Sequence, residues 1–445
     1  MLNKWLFRHI DNSQLVIFRI FFGALCFLES FGAMLTGWIK TTLIEPKFTF
    51  SFIGFEWLQP LEGNGMYVYY FVMSIFGLLI MVGYKYRMSM IGFTLLWTGT
   101  YLMQKSSYNN HYYLLVLISA IMVFMPAHRD VSIDAKQNPA IKTNAMPNWC
   151  RLVFILQLFI VYTYASVAKL YPDWLDGTVL EVLMLGKKKY YLVGEVLQQK
   201  WVQNILSYGG ILFDGLIIPF LLWKPTRKWA FIVSIGFHLF NSVIFQIGIF
   251  PYLALAFYLF FFPPKTIRTI FLKNRLFYNE AEVKLPKFKN GFVILFSMYF
   301  IVQIALPLRH HFFEDDVLWT EEGHRLSWRM MLRAKNGIVT YSVLDKNSGE
   351  KTTINLDDYL TRKQQRGAST KPDVIWQFSQ HLKKDFEAKG KDVGVYVDCR
   401  VSVNGKPLKR LINQDIDIAS VPWQPLKHSD WILPSKKELN RTLIP

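Results

Sequence analysis

The sequence predicts a polytopic α-helical membrane protein of about nine transmembrane helices, followed by a C-terminal β-rich soluble domain. Three observations support this fold class. The chain has 445 residues, of which 52% are hydrophobic and 16% aromatic; it is too apolar for an ordinary soluble enzyme and too long for one domain. Apolar segments of near-spanning length recur over residues 1–308. From Arg309 onward these segments stop, and turn residues and alternating patterns take their place.

Nine apolar segments are the predicted membrane spans. A helix needs about 20 mostly apolar residues to cross a bilayer. Several segments are shorter, so we expect some helices to be tilted, broken or packed against protein. The seventh and eighth are separated only by Ile247–Ile249, which predicts a tight turn or a bend within the bilayer. In chain order the segments are Gln14–Leu35, Met66–Gly83, Met88–Met103, His111–Met125, Trp149–Ala168, Ser207–Trp223, Trp229–Gln246, Phe250–Phe262 and Gly291–Pro307.

The net charge of +18 does not predict nucleic-acid binding, because the basic residues form no single stripe. They concentrate in alternate loops instead, as expected where Lys and Arg are enriched on the cytoplasmic side. We therefore expect an integral membrane protein with a cytoplasmic N-terminus and, after nine crossings, an extracytoplasmic C-terminal domain. The basic residues of the predicted inner loops are Lys4, Arg8, Lys85, Arg87, Arg129, Lys136, Lys142, Lys224, Arg227, Lys228, Lys265, Arg268, Lys273, Arg275, Lys284, Lys287 and Lys289.

The cysteine pattern predicts neither a disulfide framework nor a metal centre. The chain contains Cys26, Cys150 and Cys399, with no CxxC pair and no Cys/His cluster at metal-ligand spacing. Residues Met1–Ile10 carry charges but do not lead into a short apolar core with a small-residue cleavage site. We therefore expect no removed signal peptide.

The C-terminal domain, residues 309–445, is predicted to be one compact β-rich module. Ile338–Leu344 and Lys351–Leu356 flank a segment of turn residues, which predicts a β-hairpin. Residues 373–389 repeat apolar side chains at helical spacing, which predicts an amphipathic helix. Val393–Val403 alternates like a strand and leads into Asn404-Gly405, a strong hairpin signal.

Four groups of polar residues lie in or beside the predicted spans, where such side chains are costly and usually face the bundle interior. Each also has a structural interpretation. Lys169 could extend to the membrane interface, Asn109 could cap a helix, and His238 could be a hydrogen-bonded core residue. The groups are Asn109, Asn110 and His111; Lys169, Asp173, Trp174 and Asp176; His238 and Asn241; and Arg309, His310 and His311.

The predicted topology brings all four groups to the outer leaflet, beside the C-terminal domain. His238 and Asn241 are three residues apart, so they share one face of a helix. A lysine, two histidines and several amides in one region predict a membrane-embedded site. Composition and spacing alone do not identify its chemistry.

Four segments carry a more specific signal: YNNHYYL (108–114), YASVAKLYPDWLDG (164–177), FHLFNSVIFQIGIFPY (237–252) and WTEEGHRLSWRMMLR (319–333). An apolar, arginine-bearing segment, FRIFFG (18–23), precedes them. In this order they resemble vitamin K-dependent gamma-glutamyl carboxylase and its bacterial relatives with the horizontally transferred transmembrane domain. The resemblance covers the membrane region and the first part of the soluble module.

The resemblance implies an enzyme that couples oxygenation of a reduced naphthoquinone, vitamin K or menaquinone, to carboxylation of protein glutamate. Carbon dioxide and oxygen would be co-substrates, and no metal is implied. Residues 1–308 would form the catalytic domain, in which Lys169 matches the family's catalytic base and His111 the histidine that supports it. The implied cofactor-binding residues are Asn110, His238, Asn241 and Trp174, and the predicted substrate-binding residues are Arg309, His310 and His311.

The resemblance also implies a bacterial inner-membrane location. A glutamate-containing protein or peptide, the lipid bilayer and a quinone reductase are the expected partners, and nucleic acid is not. One departure is Ala168, which stands before Lys169 where the animal enzyme has a second lysine. Two other functions stay open: a quinone epoxidase without carboxylation, and a non-enzymatic membrane scaffold or transporter.

Overall fold

The structure, a computed structural model, describes residues 1–273, 275–280 and 282–435. In this part of the chain, six helices are long and apolar enough to cross a membrane. A four-stranded antiparallel sheet lies in the C-terminal part. The predicted fold class is confirmed, because an α-helical membrane region precedes a β-sheet domain. Residues 436–445, the last part of the predicted C-terminal domain, lie outside the described residues.

Most of the membrane region is built from long helices joined by short ones. The main helices are α1 (Ser13–Leu35), α2 (Gly65–Val82), α3 (Tyr86–Met103), α4 (Asn110–Phe124), α5 (Trp149–Val167), α6 (Lys200–Leu222), α7 (Arg227–Phe240), the shorter α8 (Phe250–Phe257) and α9 (Lys289–Leu308). The short ones include Leu2–Leu6, Ile133–Gln137, Pro172–Leu175, Thr178–Leu185, Gly194–Leu197, Pro264–Phe271 and Val317–Thr320. A π-helical turn, Asn241–Phe245, continues α7, and the short strands His9–Asp11 and Ala145–Pro147 pair near the N-terminus.

The predicted count of nine membrane crossings is not confirmed. The six candidate spans are α1, α2, α5, α6, α7 with its π-helical turn, and α9 with the turn that follows it. Helix α4 has 15 residues, about 22 Å at 1.5 Å per residue, which is less than the hydrocarbon core of a bilayer. Helix α8 with its following turn is also short. The cytoplasmic N-terminus, which was inferred from alternating loops, therefore stays a prediction.

Helices α1 and α2 pack backbone to backbone through two glycines. A Cβ added at Gly23 would lie 2.3 Å from the backbone nitrogen of Met81, and one added at Gly77 would lie 2.6 Å from that of Phe27. Both distances are far below van der Waals contact, so neither position accepts a side chain. Small residues at such crossings let membrane helices approach closely and gain dispersion energy. This contact fixes the first pair of helices.

The soluble domain is an antiparallel sheet covered by a helix. Its strands are β1 (Lys335–Asp345), β2 (Lys351–Thr353), β3 (Val393–Val403) and β4 (Lys409–Arg410), in the spatial order β2-β1-β3-β4. The helices are α10 (Arg362–Ala368) and α11 (Pro372–Glu387). Both predicted hairpins and the amphipathic helix are confirmed. The strand predicted over Lys351–Leu356 is shorter, because a 3-10 turn begins at Leu356.

Alternate residues of β3 are buried, as the sequence pattern predicts. Val395 and Val397 are fully buried and face the apolar side of α11, where Ile375, Phe378 and Leu382 are also fully buried. Each buried aliphatic or aromatic side chain contributes about 1.5–3 kcal/mol of transfer free energy. The domain therefore has its own core.

A buried charge cluster attaches the soluble domain to the membrane region. Asp373, in the first turn of α11, pairs with Arg325 at 2.9 Å and with Lys105 at 2.8 Å. Lys105 comes from the loop between α3 and α4 and is 1% exposed. Burial alone would raise the pKa of Asp373, but the charges of Arg325 and Lys105 hold it well below its ordinary value. The carboxylate is therefore ionised between two cations.

We expect this cluster to make the protein sensitive to acid. A carboxyl whose folded-state pKa is lowered contributes stability above its unfolded pKa, about 4, and loses it as the pH falls through the folded value. Asp373→Asn should cost about 3–5 kcal/mol at pH 7, because it leaves a buried cation unpaired. It should also flatten the fall in stability below about pH 4. Thermal unfolding of the full-length protein in detergent, from neutral to acidic pH, measures both effects.

Asp392→Asn is the matched control for this measurement. Asp392 pairs with Lys346 at 3.2 Å, but both side chains are largely exposed. Exposed pairs contribute about 0–1 kcal/mol. Equal losses for the two variants would contradict the role given to Asp373.

Candidate active site

An apolar cavity of about 340 Å³ lies among α5, α6, α7 and α8. Aromatic and aliphatic side chains form most of its wall, and Met330 and Met331 contribute to it from the segment before β1. Ligand cavities of this kind hold small molecules through apolar contact and orient them through a few polar groups. The polar side chains that reach this cavity are His111, Tyr162, Lys169, Asp214 and Asn241.

Lys169 is buried and paired instead of extending to the membrane interface. It follows the end of α5, and its backbone N–H donates to the carbonyl of Ser166 at 3.0 Å. Its Nζ forms an ion pair with Oδ2 of Asp214 on α6 and donates to the carbonyl of Ala165 at 3.1 Å. Lys169 is 8% exposed and Asp214 is 7% exposed. A buried amine that faces a cavity and has a carboxylate partner can take part in proton transfer.

Trp174 packs beside this ion pair. Lys169 Nζ lies 5.5 Å from the centroid of the Trp174 ring. The indole N–H donates to the carbonyl of Ser207 at 3.1 Å, and the Ser207 hydroxyl donates to the carbonyl of Trp174 at 2.5 Å. These two bonds fix the ring against α6. Trp174 therefore shields the ammonium group and forms part of the cavity wall.

His111 reaches the cavity from the first turn of α4. Asn109 caps this helix, since its side-chain oxygen accepts from the backbone N–H of Tyr112 at 2.7 Å. The His111 ring stacks on Phe250, with 4.3 Å between ring centroids. Its ring nitrogens have no hydrogen-bond partner among the described residues. They are therefore available to a molecule in the cavity.

His238 lies behind the cavity wall. Its Nε2 is 3.0 Å from the hydroxyl of Tyr162 and 3.1 Å from that of Tyr258, and the two hydroxyls are 3.1 Å apart. Tyr162 lines the cavity, so His238 can reach it only through this hydroxyl. Asn241 lines the cavity directly, and its side-chain amide donates to the carbonyl of Phe237 at 3.0 Å.

Asn110 does not line the cavity. Its side-chain oxygen accepts from the hydroxyl of Tyr108 at 2.7 Å, and its amide donates to the carbonyl of Arg329 at 2.9 Å. It therefore holds the segment that carries Met330 and Met331. Asn110 therefore supports the cavity wall. Its side chain does not face the space in which the predicted cofactor contact would be made.

An ion pair joins the two ends of the segment 319–333, which forms part of the cavity wall. Glu321 pairs with Arg333, whose Nε donates to the carboxylate at 2.9 Å. Burial alone would raise the pKa of Glu321, but Arg333 and Lys335 hold it well below its ordinary value. Trp328 and Met331 have positive φ angles, of 59° and 52°. Because non-glycine residues adopt such angles at a cost, these contacts are needed to keep the segment in place.

Two residues of the fourth predicted group, His310 and His311, line a separate cavity of about 440 Å³, and Arg309 does not line it. His310 lines it, with Nε2 2.7 Å from Nη2 of Arg329 and Nδ1 2.8 Å from the carbonyl of Pro307. Arg309 donates to the carbonyl of Arg325. His311 is stacked on His310, with 3.9 Å between ring centroids. The structure thus brings three of the four predicted groups to one cavity and leaves this group outside it.

The two cavities share one segment of chain. Ala168, Leu170 and Tyr171 line the second cavity, whereas Lys169 and Trp174 line the first. The segment from residue 168 to residue 174 therefore separates them. A hairpin of the soluble domain is attached to the same segment, because the amide of Asn404 donates to Asp173 at 2.9 Å and Lys406 pairs with it at 2.7 Å.

Sequence reasoning missed Asp214, Tyr162 and Tyr258. Asp214 stands alone in the apolar run ILFDGL, and an ionisable residue within a membrane helix is by itself a functional signal. That signal was present but could not identify the partner, which lies 45 residues away in the chain. The two tyrosines gave no signal, because aromatic residues are frequent throughout this region.

The arrangement combines a proton acceptor with an apolar binding space. Lys169 and Asp214 form a buried ion pair at the edge of this apolar space, where both side chains are largely shielded from water. His111, Asn241 and Tyr162 add hydrogen-bonding groups around the same space. Among the described residues no group of three or more His, Cys, Asp or Glu side chains is arranged to hold a metal ion.

Two protein families match this sequence. The HTTM domain matches residues 7–265, and the vitamin K-dependent gamma-carboxylase lumenal domain matches residues 288–438. No solved structure matches the chain. By the description of the second family, the C-terminal domain lies on the non-cytosolic side of the membrane. Because the first match covers more than half of the chain and the second covers most of the remainder, this protein belongs to the vitamin K-dependent gamma-glutamyl carboxylase family.

Proposed function

We propose that this protein converts glutamate side chains of a protein or peptide to gamma-carboxyglutamate, coupled to epoxidation of a reduced naphthoquinone by oxygen, with carbon dioxide as the carbon source. The observation that carries the proposal is the buried Lys169–Asp214 pair at an apolar cavity within the HTTM region. Dependence on vitamin K follows from the family. The reaction and the roles of individual residues are our proposal.

The cavity suits a reduced naphthoquinone. Such a molecule is flat and apolar, with an oxygen atom on opposite edges of one ring. Trp174, Phe213 and Phe237 offer apolar surface, and Lys169 and His111 offer polar atoms. A volume of about 340 Å³ falls within the range of small-molecule sites. The same residues would bind vitamin K or a menaquinone head group.

The chemistry divides between cofactor and protein. When bound, the reduced naphthoquinone supplies, by reacting with oxygen, a base strong enough to remove the γ-proton of glutamate. As a neutral amine, Lys169 Nζ would accept the proton of a cofactor hydroxyl. Asp214 Oδ2 permits this state, because it can hold the proton that Lys169 gives up. The pair thereby changes protonation state without adding net charge to a dry site.

The remaining residues orient and enclose the reactants. His111 presents a ring nitrogen to the cavity while Phe250 holds the ring plane. Asn241 and the Tyr162 hydroxyl add further hydrogen-bonding positions, and His238 orients Tyr162 from behind. The aromatic wall excludes water, which would otherwise quench a strong base.

The substrate glutamate has a candidate entry beside this site. Arg309, His310 and His311 are kept as proposed substrate contacts, since the second cavity adjoins the Lys169 segment. Arg329 lies in the same cavity, and burial lowers its pKa while Asp316 partly offsets this. A guanidinium group there would suit a carboxylate. A quinone reductase is the proposed partner that would supply the reduced cofactor.

The test of the proposed function uses the full-length protein in lipid nanodiscs, with reduced vitamin K, labelled bicarbonate and a short glutamate peptide. We expect acid-stable label in the peptide together with quinone epoxide, both dependent on oxygen and on the reduced quinone. Epoxide without label would favour the alternative function, a quinone epoxidase without carboxylation. Neither product, from folded protein, would exclude both and leave a membrane scaffold or transporter.

We expect Gly210 to test the position of the quinone. A Cβ at this position would lie 3.8 Å from Cζ2 of Trp174 and 3.9 Å from Cε of Lys169, which is ordinary contact. Gly210→Ala should therefore be tolerated. Gly210→Leu should occupy part of the cavity and raise the KM for the quinone about tenfold or more, because a mismatch of even one methylene in an apolar pocket costs about 1–3 kcal/mol of binding.

Gly236→Leu is the control for steric disturbance of a membrane helix. A Cβ at Gly236, on α7, meets no atom within 4 Å, and this residue does not line the cavity. Epoxidation rates measured against quinone concentration give KM for each variant. An unchanged KM in folded Gly210→Leu would place the quinone elsewhere.

A further inference from the structure

A third cavity, in the membrane region, contains a carboxylate that the proposed reaction does not use. It has a volume of about 230 Å³ and lies among α1, α2, α3 and the start of α4. It shares no lining residue with the cavity at Lys169. Glu29, from α1, lines it and accepts a hydrogen bond from the Tyr112 hydroxyl at 2.8 Å. Among the described residues, Glu29 has no basic partner.

Aromatic rings surround this carboxylate. Trp97 and Tyr112 meet edge to face with 5.1 Å between ring centroids, and Trp38 and Tyr70 lie 6.0 Å apart. The faces of such rings carry negative potential and attract cations. A carboxylate without a basic partner, surrounded by such rings, has the chemistry that recognises an organic ammonium ion.

A second observation points to a ligand. Tyr101 also lines the cavity, is only 9% exposed, and its hydroxyl has no hydrogen-bond partner among the described residues. Buried hydroxyls are normally paired. An ammonium group beside Glu29 would supply the donor that Tyr101 lacks.

One cation already contacts two residues of the cavity wall. Lys363, from α10 of the soluble domain, donates to the Ser107 hydroxyl at 2.9 Å and lies 5.9 Å from the centroid of the Trp38 ring. Ser107 and Trp38 both line the cavity. This lysine forms no ion pair with Glu29, so the interior carboxylate is left for another cation.

We propose that the Glu29 cavity binds an organic ammonium group, at a site separate from the Lys169 cavity. Glu29 would supply the charge, the aromatic rings the cation–π contacts, and Tyr101 a hydrogen-bond acceptor. Leu28 and Thr36, both exposed, lie at its α1 side. The ammonium group comes either from a lipid headgroup in the surrounding membrane or from a free amine.

Thermal unfolding of the full-length protein in phosphatidylglycerol nanodiscs tests the site, with ethanolammonium chloride as the probe. A bound ligand raises the unfolding midpoint in proportion to its concentration over Kd. We expect a rise with ethanolammonium that neither sodium chloride nor ethylene glycol, its neutral counterpart, produces. Glu29→Gln should weaken the apparent affinity at least about tenfold, because a charge-assisted bond is lost.

Two further variants make the test decisive. Glu62→Gln removes an exposed carboxylate that does not line the cavity, and it should respond as the wild type does. Tyr101→Phe keeps Glu29 and removes only the unpartnered hydroxyl, so it should weaken binding even if Glu29→Gln does not fold. An equal response of wild type, Glu29→Gln and Tyr101→Phe, or no response of the wild type in any nanodisc, would overturn the proposal.

Phosphatidylethanolamine nanodiscs distinguish the two sources. If the lipid headgroup occupies the site, free ethanolammonium should raise the midpoint only in phosphatidylglycerol. If the ligand is a free amine, it should raise the midpoint in both lipids. Either pattern supports the site, and both are independent of carboxylation or epoxidation.

Discussion

Lys169→Ala is expected to abolish both epoxide formation and label incorporation, with a loss of about 10²–10⁴-fold, the usual contribution of a positioned acid–base group. Lys169 Nζ is the amine at the apolar cavity, and it is paired with the Asp214 carboxylate. Without it, the cofactor hydroxyl has no base of comparable strength nearby. The epoxide assay at saturating quinone measures this loss directly.

Lys169→Arg separates the base from the charge. Arginine keeps the positive charge beside Asp214 but does not give up its proton in proteins. If Lys169 acts only as a structural cation, Lys169→Arg should retain activity while Lys169→Ala loses it. If Lys169 is the base, both variants should be inactive. Lys188→Ala removes an exposed lysine of the same region and should change nothing.

Stability must be measured beside activity, because Lys169→Ala leaves the Asp214 carboxylate buried without its partner. Breaking a buried pair on one side costs about 3–5 kcal/mol, whereas replacing both partners with apolar residues is often neutral. The double variant Lys169→Met/Asp214→Leu should therefore unfold near the wild-type temperature and still be inactive. A stable and active double variant would refute the role of the pair.

Asp214→Asn is expected to lower kcat about 10²-fold, the lower end of an acid–base contribution. The amide can still accept a hydrogen bond from Lys169 Nζ, so the side chain keeps its position. It cannot take up the proton, and the amine loses the carboxylate that allows its neutral form without a change in net charge. The effect should appear in kcat more than in the KM for the quinone, since the cavity keeps its shape.

Asp214→Glu is the rescue variant for this prediction. It restores a carboxylate on the same helix and should recover part of kcat, whereas Asp214→Asn should not. A purely structural Asp214 would give the opposite order, because asparagine matches its size and glutamate does not. Rates at saturating quinone, with protein shown to be folded by its unfolding temperature, decide between the two.

The sequence predicted that residues 1–308 form membrane helices, but it did not predict how many of these helices are long enough to cross the membrane. Long apolar segments such as Ser13–Leu35 gave helices close to their predicted bounds, because a long run of apolar residues is stable in lipid only as a helix. The short apolar segments did not all form helices long enough to cross a membrane. Asn110–Phe124 is helical but too short to be counted as a span. Whether such a helix lies across, within or beside the bilayer depends on its neighbours.

In the soluble domain, local signals were sufficient. Val393–Val403 has the bounds predicted, because strict alternation places one set of side chains in the core and the other outside. The amphipathic helix, Pro372–Glu387, follows from its 3.6-residue periodicity. Both patterns are local, so a single sequence contains them.

The sequence by itself determined the class of protein and predicted that Lys169, His111 and Asn241 lie together, and all three line one cavity. These are polar residues in apolar segments. Burying a polar side chain in a bilayer is energetically costly, so each of them can be recognised from the sequence without knowledge of its partners. Only the tertiary structure decided that Asp214 pairs with Lys169, that Asn110 holds the cavity wall, and that His310 belongs to a second cavity. The reason is physical: whether a buried polar group is a reactant or a support depends on which partners the packed helices bring to it, and those partners come from distant parts of the chain.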